Sequence, residues 1–213
     1  MARDWVRWHE DYARPGSTLA RRLDVVREQI RRVFADRPAP ARLLSICAGD
    51  GRDVLPILAE RAGGRSVRAV LVELSPELSA QARATAAELG LPDVEVRTAD
   101  AGAMATYADV EPVDLLLACG VFGNVPAGDM RRTVAALPAL MRPGATVIWT
   151  RGRGDGEDDP SLEVRERFRA QGFAEVAFVA PQDARFRVGV ARWPGRGPGP
   201  AELPAGPRLF SFV

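Results

Sequence analysis

The sequence of 213 residues contains no lysine, so all 29 of its basic residues are arginine. This absence excludes a Schiff-base lysine, and it excludes the lysine-containing loop that holds phosphates in many nucleotide hydrolases. One histidine, His9, and two cysteines are too few for a zinc site built from these residue types. We therefore expect no metal site.

Long hydrophobic runs are also absent, because no apolar run approaches the roughly 18 residues of a membrane span. The first residues lack the apolar segment of a signal peptide. The charges nearly cancel, with a net charge of +1, so no overall field attracts nucleic acid or anionic lipid. These features predict a soluble, cytoplasmic protein with reduced cysteines, and neither nucleic acid nor a membrane as partner.

The most informative segment is RLLSICAGDGRDVLPIL, residues 42–58. An apolar run ends in the small-residue loop AGDG (48–51), and apolar residues at helical spacing follow. This predicts a strand, a turn and a helix, with glycines that let a ligand approach the backbone closely. A second apolar run ends at Glu73, 22 residues after Gly51, and an acid at about this distance reaches ribose in nucleotide-binding sheets. We therefore expect an adenosine-containing cofactor.

Three regions are predicted along the chain. Residues 1–38 combine an aromatic-rich segment with an amphipathic helix, and we expect them to form a helical lid or cap. Residues 39–193 alternate strands and helices through five strands and end in a hairpin over about 175–192, with no helix between its strands. Residues 194–213 are a Pro/Gly-rich tail whose apolar end is able to dock back. With 46% hydrophobic residues, the expected fold is one α/β domain with a full core.

Five segments in order resemble the class I S-adenosylmethionine-dependent methyltransferases, over about residues 40–193. They are LLSICAGDG, VLVELSP, VRTAD, LLLACGVFGN and LMRPGATVIW. Each is weak alone, but their order, their spacing and the terminal hairpin are specific together. The resemblance implies a single Rossmann-like methyltransferase fold, with a seven-stranded, mostly parallel sheet that closes with an antiparallel C-terminal hairpin. It also implies S-adenosyl-L-methionine as cofactor.

The resemblance assigns cofactor binding to residues that follow the first four strands. They are Ala48, Gly49, Asp50, Gly51, Asp53, Glu73, Leu74, Asp100, Ala101, Cys119 and Gly120. In this assignment Glu73 binds the ribose hydroxyls, and Asp100 accepts a hydrogen bond from the adenine amino group. Asp100 at the start of a helix over 102–108 is the structural alternative.

Two departures from the family pattern affect the assignment. Ser45 stands where the family usually carries an acid, so either Asp50 or Asp53 supplies the charge near the cofactor's amino group. Cys47 stands where the family usually has glycine. Either the backbone at Cys47 needs no positive φ, or the loop is slightly displaced.

Catalytic and acceptor-binding residues are expected in two places. His9 and Tyr12 precede the first strand, where related enzymes have a lid. They are the candidate general bases if the acceptor is a hydroxyl or an ammonium, whose proton a base must remove, whereas a phenolate or a neutral amine needs no base. Phe122, Asn124 and Arg151 follow the fourth and fifth strands and are the candidate substrate-binding residues. These residues also have structural alternatives. They are His9 as a surface histidine, Phe122 as a core aromatic, Asn124 as an amide that holds the loop, and Arg151 as a solvated arginine.

The function implied is methyl transfer to an O, N or C nucleophile of a small molecule, such as a natural product, by a bacterial monomer or homodimer. The alternative is a non-catalytic protein of the same fold that binds the cofactor as a sensor or partner. A nicotinamide oxidoreductase is disfavoured by the hairpin and the missing lysine. A nucleic-acid methyltransferase is disfavoured by the neutral charge.

Overall fold

The computed structural model describes residues 12, 14, 16–35, 41–61, 67–154, 158–195 and 208–212. The strands in this part of the chain are Ala41–Ile46 (β1), Val67–Glu73 (β2), Val94–Thr98 (β3), Val113–Ala118 (β4), Met141–Gly152 (β5), Ala174–Val179 (β6) and Phe186–Arg192 (β7). The α-helices are Thr18–Ala35 (α1), Leu55–Glu60 (α2), Pro76–Glu88 (α3), Ala127–Ala136 (α4) and Ser161–Ala170 (α5). Short 3₁₀ turns occupy Met104–Tyr107 and Leu137–Leu140.

All seven strands form one sheet in the order β3-β2-β1-β4-β5-β7-β6. The first five strands pair in parallel. β7 runs antiparallel to both β5 and β6. The order reverses between β1 and β4, and in such sheets ligands bind beyond the carboxyl ends of the strands at this point. The predicted seven-stranded sheet with its antiparallel closing hairpin is confirmed.

Helices cover both faces of the sheet, and this is why β1 and β4 are apolar along nearly their whole length. Helix α1 buries Val26, Ile30 and Phe34 in the core on one face. It is therefore a layer of the fold as well as a neighbour of the cleft. Ser17 caps this helix by accepting a hydrogen bond from the Ala20 amide at 3.0 Å. The prediction of a lid depends mainly on residues 1–16, of which only 12, 14 and 16 are among the described residues.

An aromatic cluster joins α5 to β5 on the other face. The Trp149 ring stacks on Phe168 at 5.9 Å between centroids, and it is able to lie flat because Gly189 faces it across the β5–β7 pairing. A Cβ atom at Gly189 would lie 2.1 Å from the indole ring. Among the described helices, none is both long and apolar enough to cross a membrane.

Candidate functional site

A cleft of about 230 Å³ opens where β1, β2, β3 and β4 end. Its lining consists of Tyr12, Arg22, Leu23, Cys47, Ala48, Gly49, Asp50, Arg52, Asp53, Glu73, Leu74, Ser75, Leu78, Asp100, Ala101, Cys119, Gly120 and Phe212. Ten of the eleven residues that the sequence assigns to cofactor binding are in this set. The exception is Gly51, which is buried beneath the loop, where a Cβ atom would lie 2.7 Å from the Leu55 side chain. Gly51 therefore shapes the turn from below the cleft.

The loop after β1 has three residues in the left-handed region of backbone conformation. They are Cys47 at φ 56°, Gly49 at φ 59° and Gly51 at φ 74°. The expectation that Cys47 needs no positive φ is wrong. A side chain at this φ costs the fold roughly 1 kcal/mol or more. The loop keeps the conformation because its ends are tied down, as in the hydrogen bond from the Ala48 amide to the Val72 carbonyl at 2.9 Å.

Glu73 holds the glycine loop from the end of β2. One carboxylate oxygen accepts a hydrogen bond from the Gly49 amide at 2.8 Å, and the other accepts from the Ser75 amide, also at 2.8 Å. A carboxylate oxygen is able to accept two hydrogen bonds, so each keeps an acceptor position for a ribose hydroxyl. Glu73 therefore shapes the loop and lines the cleft at once.

The two candidate acids of the loop have different surroundings. Both oxygens of Asp50 accept hydrogen bonds from the Arg52 guanidinium, with Arg52 Nε at 2.8 and 2.9 Å. Asp53 instead has an oxygen, Oδ1, that is shielded from solvent and has no hydrogen-bond partner among the described residues. Burial, reinforced by Asp50 nearby, raises the pKa of Asp53 to about 6. Asp53 is thus the acid whose negative charge is available to a ligand.

Tyr12, Arg22 and Arg52 pack together at this end of the cleft. The Arg22 guanidinium donates a hydrogen bond to the Tyr12 hydroxyl, and the Arg52 guanidinium lies over the Tyr12 ring, 4.6 Å from its centroid. Burial raises the pKa of Tyr12 above its usual value of 10.0. The phenol therefore stays protonated near neutrality, which argues against a role for Tyr12 as general base.

Asp100 lies at the opposite end of the cleft, after β3. Its Oδ1 accepts a hydrogen bond from the Gly102 amide at 2.8 Å, so it does hold the start of the following turn. Its Oδ2 pairs with the Arg208 guanidinium at 2.8 Å. A segment far away in the sequence therefore reaches this acid.

The loop after β4 is fixed by two hydrogen bonds. The Gly120 amide donates to the Thr150 hydroxyl at 2.8 Å, and the Asn124 side-chain amide donates to the Gly120 carbonyl at 2.7 Å. Asn124 thus holds the loop in which Cys119 and Gly120 line the cleft. Burial raises the pKa of the Cys119 thiol, so this side chain stays neutral. Within the described part of the chain, no group of three or more His, Cys, Asp or Glu side chains is arranged to hold a metal ion.

Comparison with known proteins agrees with this geometry. Residues 43–144 match the model of a family described as a methyltransferase domain. They contain all the residues that line the cleft except Tyr12, Arg22, Leu23 and Phe212. No curated protein matches the chain significantly. Residues 43–144 therefore form a methyltransferase domain, on a fold that the chain shares with solved S-adenosylmethionine-dependent methyltransferases. S-adenosylmethionine is its cofactor.

Solved structures share the fold at low sequence identity. Magnesium protoporphyrin IX methyltransferase of Synechocystis, with bound S-adenosylmethionine, is 13% identical at a TM-score of 0.68, over 90% of this chain and 92% of that one. An O-methyltransferase family protein of Burkholderia thailandensis is 16% identical at 0.66, over 82% and 55%. A methyltransferase of Aquifex aeolicus is 16% identical at 0.57, over 78% and 88%.

The residues of the methyltransferase cleft fit this cofactor. Glu73 keeps free acceptor positions for the ribose. The unpartnered Oδ1 of Asp53 suits the amino group of the methionine half, because a buried anion without a partner is stabilised by a cation. Of the two acids that the sequence leaves open for this role, the hydrogen bonds of Asp50 to Arg52 favour Asp53.

None of the three predicted acceptor-binding residues lines the cleft of the methyltransferase, and Asn124 instead holds the loop after β4. Phe122 has no exposed surface, and its ring packs edge-on against Trp149 and Phe168 at 6.3 and 6.1 Å. Its position is that of a core aromatic, which is the structural alternative to substrate binding. Arg151 is on β5, paired with Arg187 in the sheet register, and burial lowers its pKa. His9 lies outside the described residues.

Of the cleft residues that sequence reasoning missed, three come from outside the loops after β1 to β4: Arg22, Leu23 and Phe212. Arg22 and Leu23 are in α1, where they read as ordinary members of an amphipathic helix. Phe212 belongs to the apolar end of the tail, which was predicted only to dock. No local pattern points any of them toward a ligand.

Proposed function

We propose that this methyltransferase acts in the cytoplasm, on an O, N or C nucleophile of a small-molecule acceptor such as a natural product. The observation that carries the proposal is that Tyr12 and Arg22 line the cleft together with Asp53 and Cys119, with the Arg22 guanidinium hydrogen-bonded to the Tyr12 hydroxyl. In this proposal the acceptor reaches the reactive methyl group beside these residues. A small acceptor is able to reach this position with the fewest changes in the conformations of the surrounding side chains.

The surface charges support the same proposal. Many exposed arginines pair with carboxylates: Arg21 with Asp183, Arg31 with Glu60, Arg131 with Glu163 and Arg165 with Glu175. Such pairing leaves no extended basic stripe on these elements, which a nucleic-acid acceptor would favour. The net charge of +1 agrees.

S-adenosylmethionine supplies an activated methyl group when bound, and the protein's own contribution is positioning and exclusion of water. In the proposal, Asp53 binds the amino group and Glu73 binds the ribose. Tyr12 and Arg22 cover the site and shield it from solvent. The protonated Tyr12 hydroxyl is suited to donate a hydrogen bond to the acceptor, and an acceptor that reacts as a phenolate or a neutral amine needs no base.

The proposal is tested by release of S-adenosylhomocysteine from S-adenosylmethionine with a panel of phenols, amines, carboxylic acids and carbon nucleophiles. DNA, RNA and a protein mixture serve as comparison acceptors. We expect turnover with at least one small acceptor and none with the macromolecules. Tight cofactor binding with no turnover by any acceptor would instead favour a non-catalytic sensor or partner.

A further inference from the structure

We propose that the segment Arg208–Phe212 forms one wall of the adenine subsite, and that the Phe212 ring stacks on adenine. This inference concerns cofactor binding alone and does not depend on the identity of the acceptor. The segment follows the last strand, β7, by some distance in the sequence, yet it lies against the turn after β3 and reaches the cleft.

The segment is docked by its own buried residues and backbone. Leu209 and Phe210 are buried in the core on the Trp149 face of the sheet. The Leu209 amide donates to the Gly102 carbonyl at 2.7 Å, and the Ser211 amide donates to Asp129 Oδ2 at 2.8 Å. These contacts fix the backbone on both sides of Phe210.

Gly102 is required for this close approach. A Cβ atom at Gly102 would lie 2.2 Å from the Phe210 carbonyl oxygen, well inside van der Waals contact. Arg132 adds a hydrogen bond from its Nε to the Leu209 carbonyl at 3.1 Å. The turn after β3 and helix α4 are therefore both shaped to receive the segment.

Phe212 lies at the end of the docked segment and lines the cleft with Asp100 and Ala101. Its side chain is 39% exposed, and Leu74, which follows the ribose acid and also lines the cleft, is 61% exposed. Phe210 packs edge-on against the Phe212 ring at 5.5 Å and supports it from behind. Two exposed apolar side chains next to Glu73 and Asp100 are suited to a flat, apolar ring such as adenine.

The pair between Arg208 and Asp100 ties this wall to the acid of the subsite. Asp100 Oδ1 accepts from Gly102 and Oδ2 from Arg208, so docking of the segment also orients the carboxylate. Anything that binds the docked form stabilises it. Cofactor binding should therefore slow exchange of the Leu209 and Ser211 amide hydrogens.

The first test is calorimetric titration of S-adenosylhomocysteine and of adenosine into the full chain and into Phe212→Ala, with Phe212→Tyr as the conservative variant. Loss of one stacked ring should weaken both ligands about tenfold, and Phe212→Tyr should bind as the wild type does. Leu162→Ala is the matched control, because Leu162 is an exposed apolar residue on α5 that does not line the cleft. Wild-type affinity for both ligands in Phe212→Ala would overturn the stacking.

The second test uses Gly102→Ala and hydrogen exchange. We expect faster exchange of the Leu209 and Ser211 amides, together with weaker binding of S-adenosylhomocysteine. Fast exchange with unchanged affinity would show that the docked segment is not part of the subsite, and would overturn the proposal. A thermal melt of each variant separates loss of docking from global unfolding.

Discussion

Asp53→Asn should stabilise the fold at neutral pH, because it removes the charge of a carboxylate whose Oδ1 is shielded from solvent and has no hydrogen-bond partner among the described residues. Burial raises the pKa of this carboxyl from 3.8 to about 6. Each pKa unit corresponds to about 1.4 kcal/mol, so ionised Asp53 costs the native state up to about 3 kcal/mol at pH 7. The cost is absent below the pKa of the unfolded chain, grows as the pH rises, and is complete above about 6.

Urea unfolding at pH 7 and at pH 4 measures this effect without any ligand. We expect Asp53→Asn to raise the unfolding free energy by about 1–3 kcal/mol at pH 7 and to leave it nearly unchanged at pH 4. Asp50→Asn is the matched control, because Asp50 is paired with Arg52 and its removal should destabilise the protein.

The same substitution should weaken cofactor binding, because the buried carboxylate is the proposed partner of the cofactor's amino group. Loss of one member of such a pair costs about 2–5 kcal/mol, which corresponds to an affinity for S-adenosylhomocysteine lower by about thirtyfold or more. Wild-type affinity should also fall as the pH drops below about 6, since Asp53 becomes protonated. Lower stability of Asp53→Asn at pH 7 with unchanged affinity would refute the reasoning.

Three other substitutions test the loop and the sheet, and a fourth in α4 serves as a control. Glu73→Ala should weaken cofactor binding by about 2–3 kcal/mol, as measured by calorimetry. It should also lower the unfolding free energy by about 1–3 kcal/mol in urea, because the Glu73 carboxylate accepts hydrogen bonds from two loop amides. Wild-type values of both quantities would contradict this role. Gly189→Ala should lower the unfolding free energy by about 1–3 kcal/mol or more, because the added Cβ meets the indole ring. Gly128→Ala in α4, where a Cβ has open space, should by contrast raise it by about 0.5–1 kcal/mol, and equal melts of the two variants would argue against the predicted clash. Cys47→Val should lower it by about 2 kcal/mol, since a β-branched residue tolerates a φ of 56° poorly, and an unchanged melting temperature would contradict this.

The parts of the fold that the sequence predicts are those with strong local signals. The strand–glycine–helix pattern around residues 48–51 and the acid at Glu73 depend on spacing along the chain. The closing hairpin depends on alternation within two short runs. Each pattern reflects backbone geometry within a short segment, so contacts with distant segments do not change the element that it predicts.

The rest of the site depends on contacts between distant segments, which no local pattern encodes. Asp50 and Asp53 look equivalent in the sequence, and they differ in the structure because Asp50 is hydrogen-bonded to the Arg52 guanidinium while Asp53 Oδ1 has no partner among the described residues. Phe122 follows β4, where an acceptor-binding residue is expected, but its ring packs against Trp149 and Phe168 in the core. Phe212 reaches the cleft because Gly102 and Asp129 receive a segment more than eighty residues later in the chain.

The central claim is that the cleft beyond β1 to β4 binds S-adenosylmethionine. Calorimetric titration with S-adenosylhomocysteine at neutral pH, repeated in the presence of excess NAD, tests it most directly, because it needs neither an acceptor nor turnover. The account predicts binding in the micromolar range that NAD does not reduce and that Glu73→Ala weakens. No binding heat with S-adenosylhomocysteine, together with tight binding of NAD, would contradict the account.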